Sequence, residues 1–358
     1  MKVEELAELT LALCKIPSPT GEEKQIADHV QAWAYQHFPP EEVVRVGHSL
    51  VVGRLESKLP SIGLFGHLDT VPAHPNGTPF RIEDGKVWGR GSSDMKSGLA
   101  VMMGLAMELK HQALPLNPIW VFYEAEEGSY EQNGLGPVME KLPALRNMAF
   151  GIALEPTDQT LMLGCMGSMH ISLMLQGKAA HSARPWQGEN AIHAAGPLLN
   201  MLAAKQPIEV NVDGYVFREV LSATWARGGK ALNVIPEQFE LNLNHRFAPG
   251  KTIGMAFEEM QKLLGPYGLL RVTDASPAGN VCTLNPFFQK LLRDTGLSTR
   301  PKQAWTDIGR LSSLGIDAVN FGPGETAAAH QQNECASLES IATVYACLKK
   351  FLSGPLPL

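Results

Sequence analysis

Four short apolar runs in this sequence end in side chains that bind metals or move protons. Ile62-Gly63-Leu64-Phe65-Gly66 leads into His67-Leu68-Asp69, and residues 118–123 lead into Glu124-Ala125-Glu126-Glu127. Residues 148–154 lead into Glu155, and residues 318–321 are followed a few positions later by His330. A fifth candidate, Asp94, lies in the glycine-rich turn Gly89-Arg90-Gly91-Ser92-Ser93-Asp94-Met95-Lys96-Ser97-Gly98. Apolar runs of this length read as buried strands. Residues two apart on a strand share a face, so Asp69 can take the ring N–H of His67 and set which nitrogen is free for a metal.

One strand-end acid alone is usually a solvated charge. Several at one sheet edge would repel or desolvate one another without a cation. A dinuclear site resolves this, with one carboxylate bridging and each metal taking one histidine and one further carboxylate. Nitrogen and oxygen ligands without sulfur suit zinc, with cobalt or manganese as alternatives. Neighbours on an extended segment face opposite ways, so of Glu126 and Glu127 one can ligate while the other serves the attacking water as general base. The chemistry implied is metal-assisted hydrolysis of an amide. Ser92-Ser93 lacks the G-x-S-x-G surroundings of a nucleophilic serine.

These residues need a scaffold. Residues 3–14 have helical apolar spacing, broken by Ile16-Pro17-Ser18-Pro19-Thr20-Gly21. Thr20-Gly21-Glu22-Glu23 reads as the capped start of a second helix reaching about Tyr35. Short strands follow within 43–55, then the His67 strand, a loop over 72–84, a helix at about 96–110 and the strands ending at Tyr123 and Leu154. Strands alternating with helices indicate a layered α/β domain, with a mixed, largely parallel sheet flanked by helices. After Gly167 the pattern changes. Strands over 170–176, 216–226, 237–246 and 268–274, with helices over 190–204 and 252–264, make an α+β set. Helices over 285–296, 305–314 and 338–353, and a strand over 318–321, return to the first domain. The expected organisation is therefore a discontinuous metal-binding domain, 1–167 and 280–358, with 168–279 inserted.

With 358 residues the chain exceeds the usual single core. A net charge of −6 and pI near 6.0 argue against nucleic-acid binding. The start, Met1-Lys2-Val3-Glu4-Glu5, is acidic where a signal peptide would be cationic, and no long apolar window follows. Cys14, Cys165, Cys282, Cys335 and Cys347 are scattered and odd in number. They form neither a disulfide framework nor a CxxC zinc site, and they fit a reducing cytoplasm.

His67-Leu68-Asp69, Gly91-Ser92-Ser93-Asp94-Met95-Lys96-Ser97-Gly98, Glu126-Glu127-Gly128, Glu155-Pro156 and His330-Gln331-Gln332-Asn333-Glu334 together resemble the ordered motifs of the dinuclear-zinc M20 metallopeptidases and deacylases. The resemblance covers nearly the whole chain. It implies a zinc exopeptidase-like catalytic domain, with His67 and Glu155 on one zinc, Glu127 and His330 on the other, and Asp94 bridging. It also implies Asp69 supporting His67, Glu126 as base, and an inserted lid through which a homodimer forms. His181, in Gly177-Lys178-Ala179-Ala180-His181-Ser182, would then reach across that dimer to the oxyanion.

Within the family, Ala180-His181-Ser182-Ala183-Arg184-Pro185-Trp186, Asn233-Val234-Ile235-Pro236, Trp305-Thr306-Asp307, Asn320-Phe321-Gly322-Pro323-Gly324 and Asn333-Glu334-Cys335 look most like the succinyl-diaminopimelate desuccinylases of lysine biosynthesis. Met166 stands before Gly167-Ser168 where many of those enzymes carry arginine. Deacetylases acting on acetylornithine or acetylcitrulline, or another M20 carboxypeptidase, are the alternative. A metal-binding relative without catalysis is the other class, and it would be expected to lack Glu126. Arg246, in Asn244-His245-Arg246, could hold a substrate carboxylate through a bidentate pair or form a surface ion pair. Asn233 could bind substrate or cap a turn. Met102-Met103 reads as helix core. The expected partner is a small N-acyl amino acid, with neither nucleic acid nor membrane.

Overall fold

The structure, a computed structural model, describes residues 1–74, 77 and 79–357. Of the loop expected over 72–84, residues 75, 76 and 78 lie outside the described residues. The chain divides into two compact units. The first comprises Met1–Gly164, Asn280–Lys302 and Thr306–Leu358; the second comprises Cys165–Gly279 with Gln303–Trp305.

The first unit is built on an eight-stranded mixed sheet. Its strands are β1 (Val43–Val46), β2 (Ser49–Val52), β3 (Ser61–His67), β6 (Asn117–Tyr123), β7 (Phe150–Pro156), β8 (Leu161–Leu163), β16 (Thr299–Pro301) and β17 (Ala318–Gly322). They run in the order β1-β2-β6-β3-β7-β17-β8-β16. The four central strands, β6, β3, β7 and β17, are mutually parallel, and antiparallel pairing enters only beyond them. Ile62, Leu64 and Phe65 of β3 are fully buried, as befits a central strand covered on both faces.

The Ser97–Leu109 helix packs on β3, β6 and β7, and the Val3–Cys14 and Leu338–Ser353 helices pack on it in turn. Met102 and Met103 are completely buried in that layer. Gly98 makes the approach possible, because a Cβ there would fall 2.6 Å from the Leu154 carbonyl oxygen. The Leu135–Lys141, Pro286–Thr295 and Ile308–Ser313 helices complete the layers of this unit.

Two expectations are corrected here. The second helix runs over Lys24–His37 from Glu23, without a side-chain cap. The Thr20 hydroxyl donates instead to Asp69 Oδ2 at 3.0 Å, so that threonine serves a long-range contact rather than its own helix. The stretch 72–84 is not all loop either. β4 (Arg81–Glu83) and β5 (Lys86–Trp88) form a hairpin, and β18 (Cys335–Ser337) pairs antiparallel with β5. Three-residue strands are too short to show a period of two in sequence.

The second unit holds a five-stranded antiparallel sheet in the order β11-β12-β14-β9-β15. Its strands are β9 (Gly167–Gln176), β11 (Ile208–Val212), β12 (Tyr215–Gly228), β14 (Gln238–Phe247) and β15 (Leu269–Ser276). One face, with Ile171, Leu173, Leu241, Leu243 and Phe247, is buried with Ala195, Leu198, Ala256 and Leu264 of the helical segments in a single core. The stretch 190–204 is two helices, Ala191–Ala194 and Gly196–Ala204, rather than one. Pro197 offers no N–H and crowds the preceding turn, so it can start a helix but not sit inside one. A short ribbon pairs β10 (Ala180–His181) with β13 (Val234–Ile235). The five cysteines form no disulfide among the described residues. Among the described residues no helix is long and apolar enough to cross a membrane.

Candidate metal centre

The four parallel central strands all deliver their carboxyl ends to one edge, where sites of open α/β sheets lie. His67 is the last residue of β3, Glu155 lies near the end of β7, Glu126 and Glu127 follow β6, and His330 lies in the segment after β17. Asp94 comes from the turn Ser92–Lys96, ahead of the Ser97–Leu109 helix.

The ligand-type atoms form overlapping groups. His67, Asp94 and Glu155 make one, and Asp94, Glu127 and His330 make another; within each, the atoms lie within 4.8 Å of one another. His67 Nε2 is 3.1 Å from Asp94 Oδ1 and 3.7 Å from Glu155 Oε1. His330 Nε2 is 3.3 Å from Asp94 Oδ2 and 2.8 Å from Glu127 Oε1. Asp94 thus gives one oxygen to each group. Ligands at ~2.0–2.1 Å around a tetrahedral ion lie ~3.3 Å apart, so these spacings suit an ion of zinc's size. Glu155 Oε1 is buried and has no hydrogen-bond partner. An orphaned buried carboxylate oxygen is costly unless a cation takes it. The donor set therefore fits two divalent ions. A third grouping, His67 with Glu126 and Glu127, places Glu126 beside both.

Asp69 lies beside the His67 ring, as expected, although strand β3 stops at His67. His67 Nδ1 bonds to the Asp69 backbone oxygen at 3.0 Å, with the carboxylate at 3.4 Å. The carboxylate also accepts the backbone N–H groups of Glu126 and Glu127, each at 3.0 Å, and the Thr20 hydroxyl. His67 is still oriented, with Nε2 directed into the site. The segment carrying Glu126 and Glu127 is a turn rather than an extension, entered through Ala125 at φ 57°.

Charge crowding shows in the titration of these groups. Burial, then the nearby Asp94, raises Glu155 to about 7. Burial and the neighbouring Glu155 raise Glu126 well above the usual carboxylate range. Asp94 is held below that range, because its bonds to His330 and His67 outweigh the cost of burial. Bonds to Asp94 and Glu127 raise His330 to about 10. Burial works against a charged His67, yet Asp69, Asp94 and Glu155 together raise it.

Three expected site residues belong to the second unit. Arg246 lies near the end of β14, where its Nε donates to Asn244 Oδ1 at 2.9 Å. Burial presses its guanidinium pKa down, against the opposing pull of Cys165 and the Asp274 carboxylate. His181 and Asn233 are brought together by the β10–β13 ribbon, where Ser182 N–H donates to the Asn233 carbonyl at 2.9 Å. Ala183 N–H donates to His181 Nδ1 at 3.1 Å, which places the neutral ring's proton on Nε2. Sequence reasoning missed the contact of Thr20 with Asp69, and it gave Glu334 no role. Neither carries a local signal, since both act on backbone or side chains far away in the chain.

Residues 63–354 match the profile of Peptidase family M20/M25/M40. The chain is 37% identical over 357 residues to a succinyl-diaminopimelate desuccinylase of Corynebacterium glutamicum, covering 96% of this chain and 95% of that one. Its fold is similar to a tripeptidase of Staphylococcus aureus (TM-score 0.81, 22% identity, 99% and 98% covered). It is also similar to a Bacillus subtilis protein described as a dinuclear metal binding peptidase (TM-score 0.69, 16% identity, 98% and 97% covered).

The raised histidines predict how metal enters. Free of metal at pH 7, His67 and His330 both carry an extra proton, and ligation requires each to be neutral. Raising the pH removes the competing proton, so apparent affinity climbs with pH toward the His330 value of about 10. Calorimetric zinc titrations at pH 7, in buffers of different ionisation enthalpy, should show release of at least two protons per loaded site, those of the two histidines. Uptake of two metals without proton release would contradict the ligand set.

Proposed function

The chain belongs to Peptidase family M20/M25/M40 and is a metal-dependent amidohydrolase; from that premise we propose that it removes the succinyl group from N-succinyl-LL-2,6-diaminopimelate, in the cytoplasm, as a step of lysine biosynthesis. The observation that carries the hydrolytic reading is Asp94, whose two oxygens serve two adjoining ligand groups with Glu126 beside them. The substrate comes from the desuccinylase relative, matched over nearly its full length.

His67 and Glu155 would hold one ion, Glu127 and His330 the other, and Asp94 would serve both; zinc suits the set, and cobalt can replace it. When bound, the ions polarise the amide carbonyl and lower the pKa of the attacking water. Glu126 takes the water's proton and returns it to the departing amine. Its raised pKa is the direction a proton carrier needs for work near neutral pH. Asp69 holds Glu126 and Glu127 by their amides. Arg246 receives a substrate carboxylate, and Asn233 lies beside His181 to help bind the substrate. The second unit serves as lid and dimerisation domain. His181 of one protomer donates from Nε2 to the oxyanion formed in its partner.

One observation favours the second reading, an acetylornithine or acetylcitrulline deacetylase. Met166 is fully buried and puts no cation where many desuccinylases have one. A panel of N-succinyl-diaminopimelate, N-acetylornithine, N-acetylcitrulline and a dipeptide, assayed with zinc, decides between them. The highest kcat/KM is expected on the succinyl compound, and a preference for either acetyl substrate would replace the assignment.

Glu126→Gln keeps the size of the side chain and removes its proton acceptor. Metal content should survive while kcat falls by roughly 10²–10⁴. Glu127→Gln should instead lose metal, and metal analysis of the two proteins reads the difference.

His181 is tested by complementation. Glu126→Gln and His181→Ala proteins, each nearly inactive, are mixed and allowed to exchange subunits. The mixed dimer holds one site with both groups intact, so activity should reappear. An oxyanion donor is worth ~10²–10³ in rate, mostly in kcat. Absence of recovery after demonstrated exchange would place His181 in its own chain's site or outside catalysis.

A further inference from the structure

Glu334 is 1% exposed, and its carboxylate is filled by four donors. Ser93 N–H and Asp94 N–H donate to Oε1, each at 3.0 Å. Gly91 N–H donates to Oε2 at 3.0 Å, and Arg90 Nη1 does so at 2.6 Å. With both oxygens committed to N–H groups, Glu334 is not placed to ligate a metal, and it stands outside the ligand groups. The turn it binds leaves helical geometry at Asp94, with φ −124° and ψ 96°. Amides in such a turn cannot find the carbonyl four residues back, and the Glu334 carboxylate supplies the missing acceptor.

The same residue is tied to the other arm of the site. Glu334 follows His330 by four positions and precedes β18, whose pairing with β5 anchors it. Gly89 N–H donates to the Glu334 carbonyl at 3.0 Å. Arg90 spans both arms, with Nη1 on Glu334 and Nη2 3.5 Å from the His330 carbonyl oxygen. Asp94 and His330, 3.3 Å apart, are two of the three residues of the Asp94–Glu127–His330 group.

We propose that Glu334, braced by Arg90, is a positioning residue for the metal pair. It fixes the backbone of Asp94 and the segment of His330, so that the bridging carboxylate and the more exposed histidine are preset to receive ions. The inference rests on the two-metal reading above. A carboxylate that merely stabilised the fold would have the same contacts, so the test must read the metals themselves.

Glu334→Gln keeps the shape and turns one oxygen into an amide NH2 facing two donors. Full-length protein is stripped with chelator, then titrated calorimetrically with zinc, and separately loaded with cobalt for its visible absorption spectrum. The parent is expected to take two ions. In E334Q both should bind more weakly, by roughly 10–100-fold, the usual cost of losing a group that orients ligands, because Asp94 serves both ions. The cobalt spectrum should change in position or intensity. Arg90→Lys, whose ammonium cannot span two acceptors, should weaken chiefly one of the two ions, and it carries the test if E334Q fails to fold. Parent-like affinity for both ions and an unaltered cobalt spectrum would overturn the proposal, whatever happens to the melting temperature. A parent that takes up no metal would overturn the two-metal reading itself, and this inference with it.

Discussion

Asp94, Glu126, Glu127 and Glu155 converge on two imidazoles at one edge of a sheet, and they cannot all be charged there unaided. Two like charges 4 Å apart cost on the order of 4 kcal/mol at the effective dielectric of a protein near its surface. Burial adds to that for each group. Without cations the protein responds by holding protons, which is why Glu155 stands at about 7 and His330 at about 10. Two divalent ions replace those protons and remove the repulsion together. The arrangement makes sense as a metal site and is expensive as anything else.

What brings these groups together is topology more than local sequence. Parallel strands joined by crossovers place their carboxyl ends on one side, and β6, β3, β7 and β17 are neighbours in that order. Four separate stretches of chain thus reach the same few ångströms. A fifth residue of the cluster, Asp94, is drawn in by a helix that packs tightly on β7, at the contact Gly98 permits. The second unit is of another kind. Its sheet buries one face and presents on the other a row of polar groups, Glu240, Asn242, Asn244 and Arg246 along β14.

Much of this was legible in sequence because buried parallel strands leave a plain mark. The apolar runs before His67, Glu126 and Glu155 are short and end abruptly, and the element boundaries fell within a few residues of the structure. Where reasoning failed, it failed on contacts that sequence distance conceals. Thr20 reads as a helix cap because its neighbours Glu22 and Glu23 suit one; in the fold, its hydroxyl serves Asp69, 49 residues away. The alternation rule paired Asp69 with His67 in space but gave no sign that the Asp69 backbone oxygen is also bonded to the ring. The β4–β5–β18 sheet was invisible because three-residue strands carry no period. Yet that sheet sets Glu334 beside the Asp94 turn.

The backbone of the site explains how adjacent residues come to hold different environments. Ala125 at φ 57° and His330 at φ 64° occupy the left-handed region, which costs a residue with a Cβ on the order of 1 kcal/mol or more. Each is held by a nearby clamp. After Ala125, the amides of Glu126 and Glu127 both fasten to the Asp69 carboxylate, so the chain turns sharply and a carboxylate oxygen of each glutamate stays close to His67. Near His330, Arg90 binds both the histidine's carbonyl and Glu334. In both places a buried carboxylate accepts backbone N–H groups rather than an ion. The site therefore contains two classes of acid. One class, Asp94, Glu127 and Glu155, faces imidazoles that a metal can displace or, at Glu155 Oε1, no hydrogen-bond donor among the described residues, and so is open to metal. The other, Asp69 and Glu334, is saturated with donors and so is fixed. Strain in the backbone is tolerated where the second class anchors it, and that anchoring presets the first.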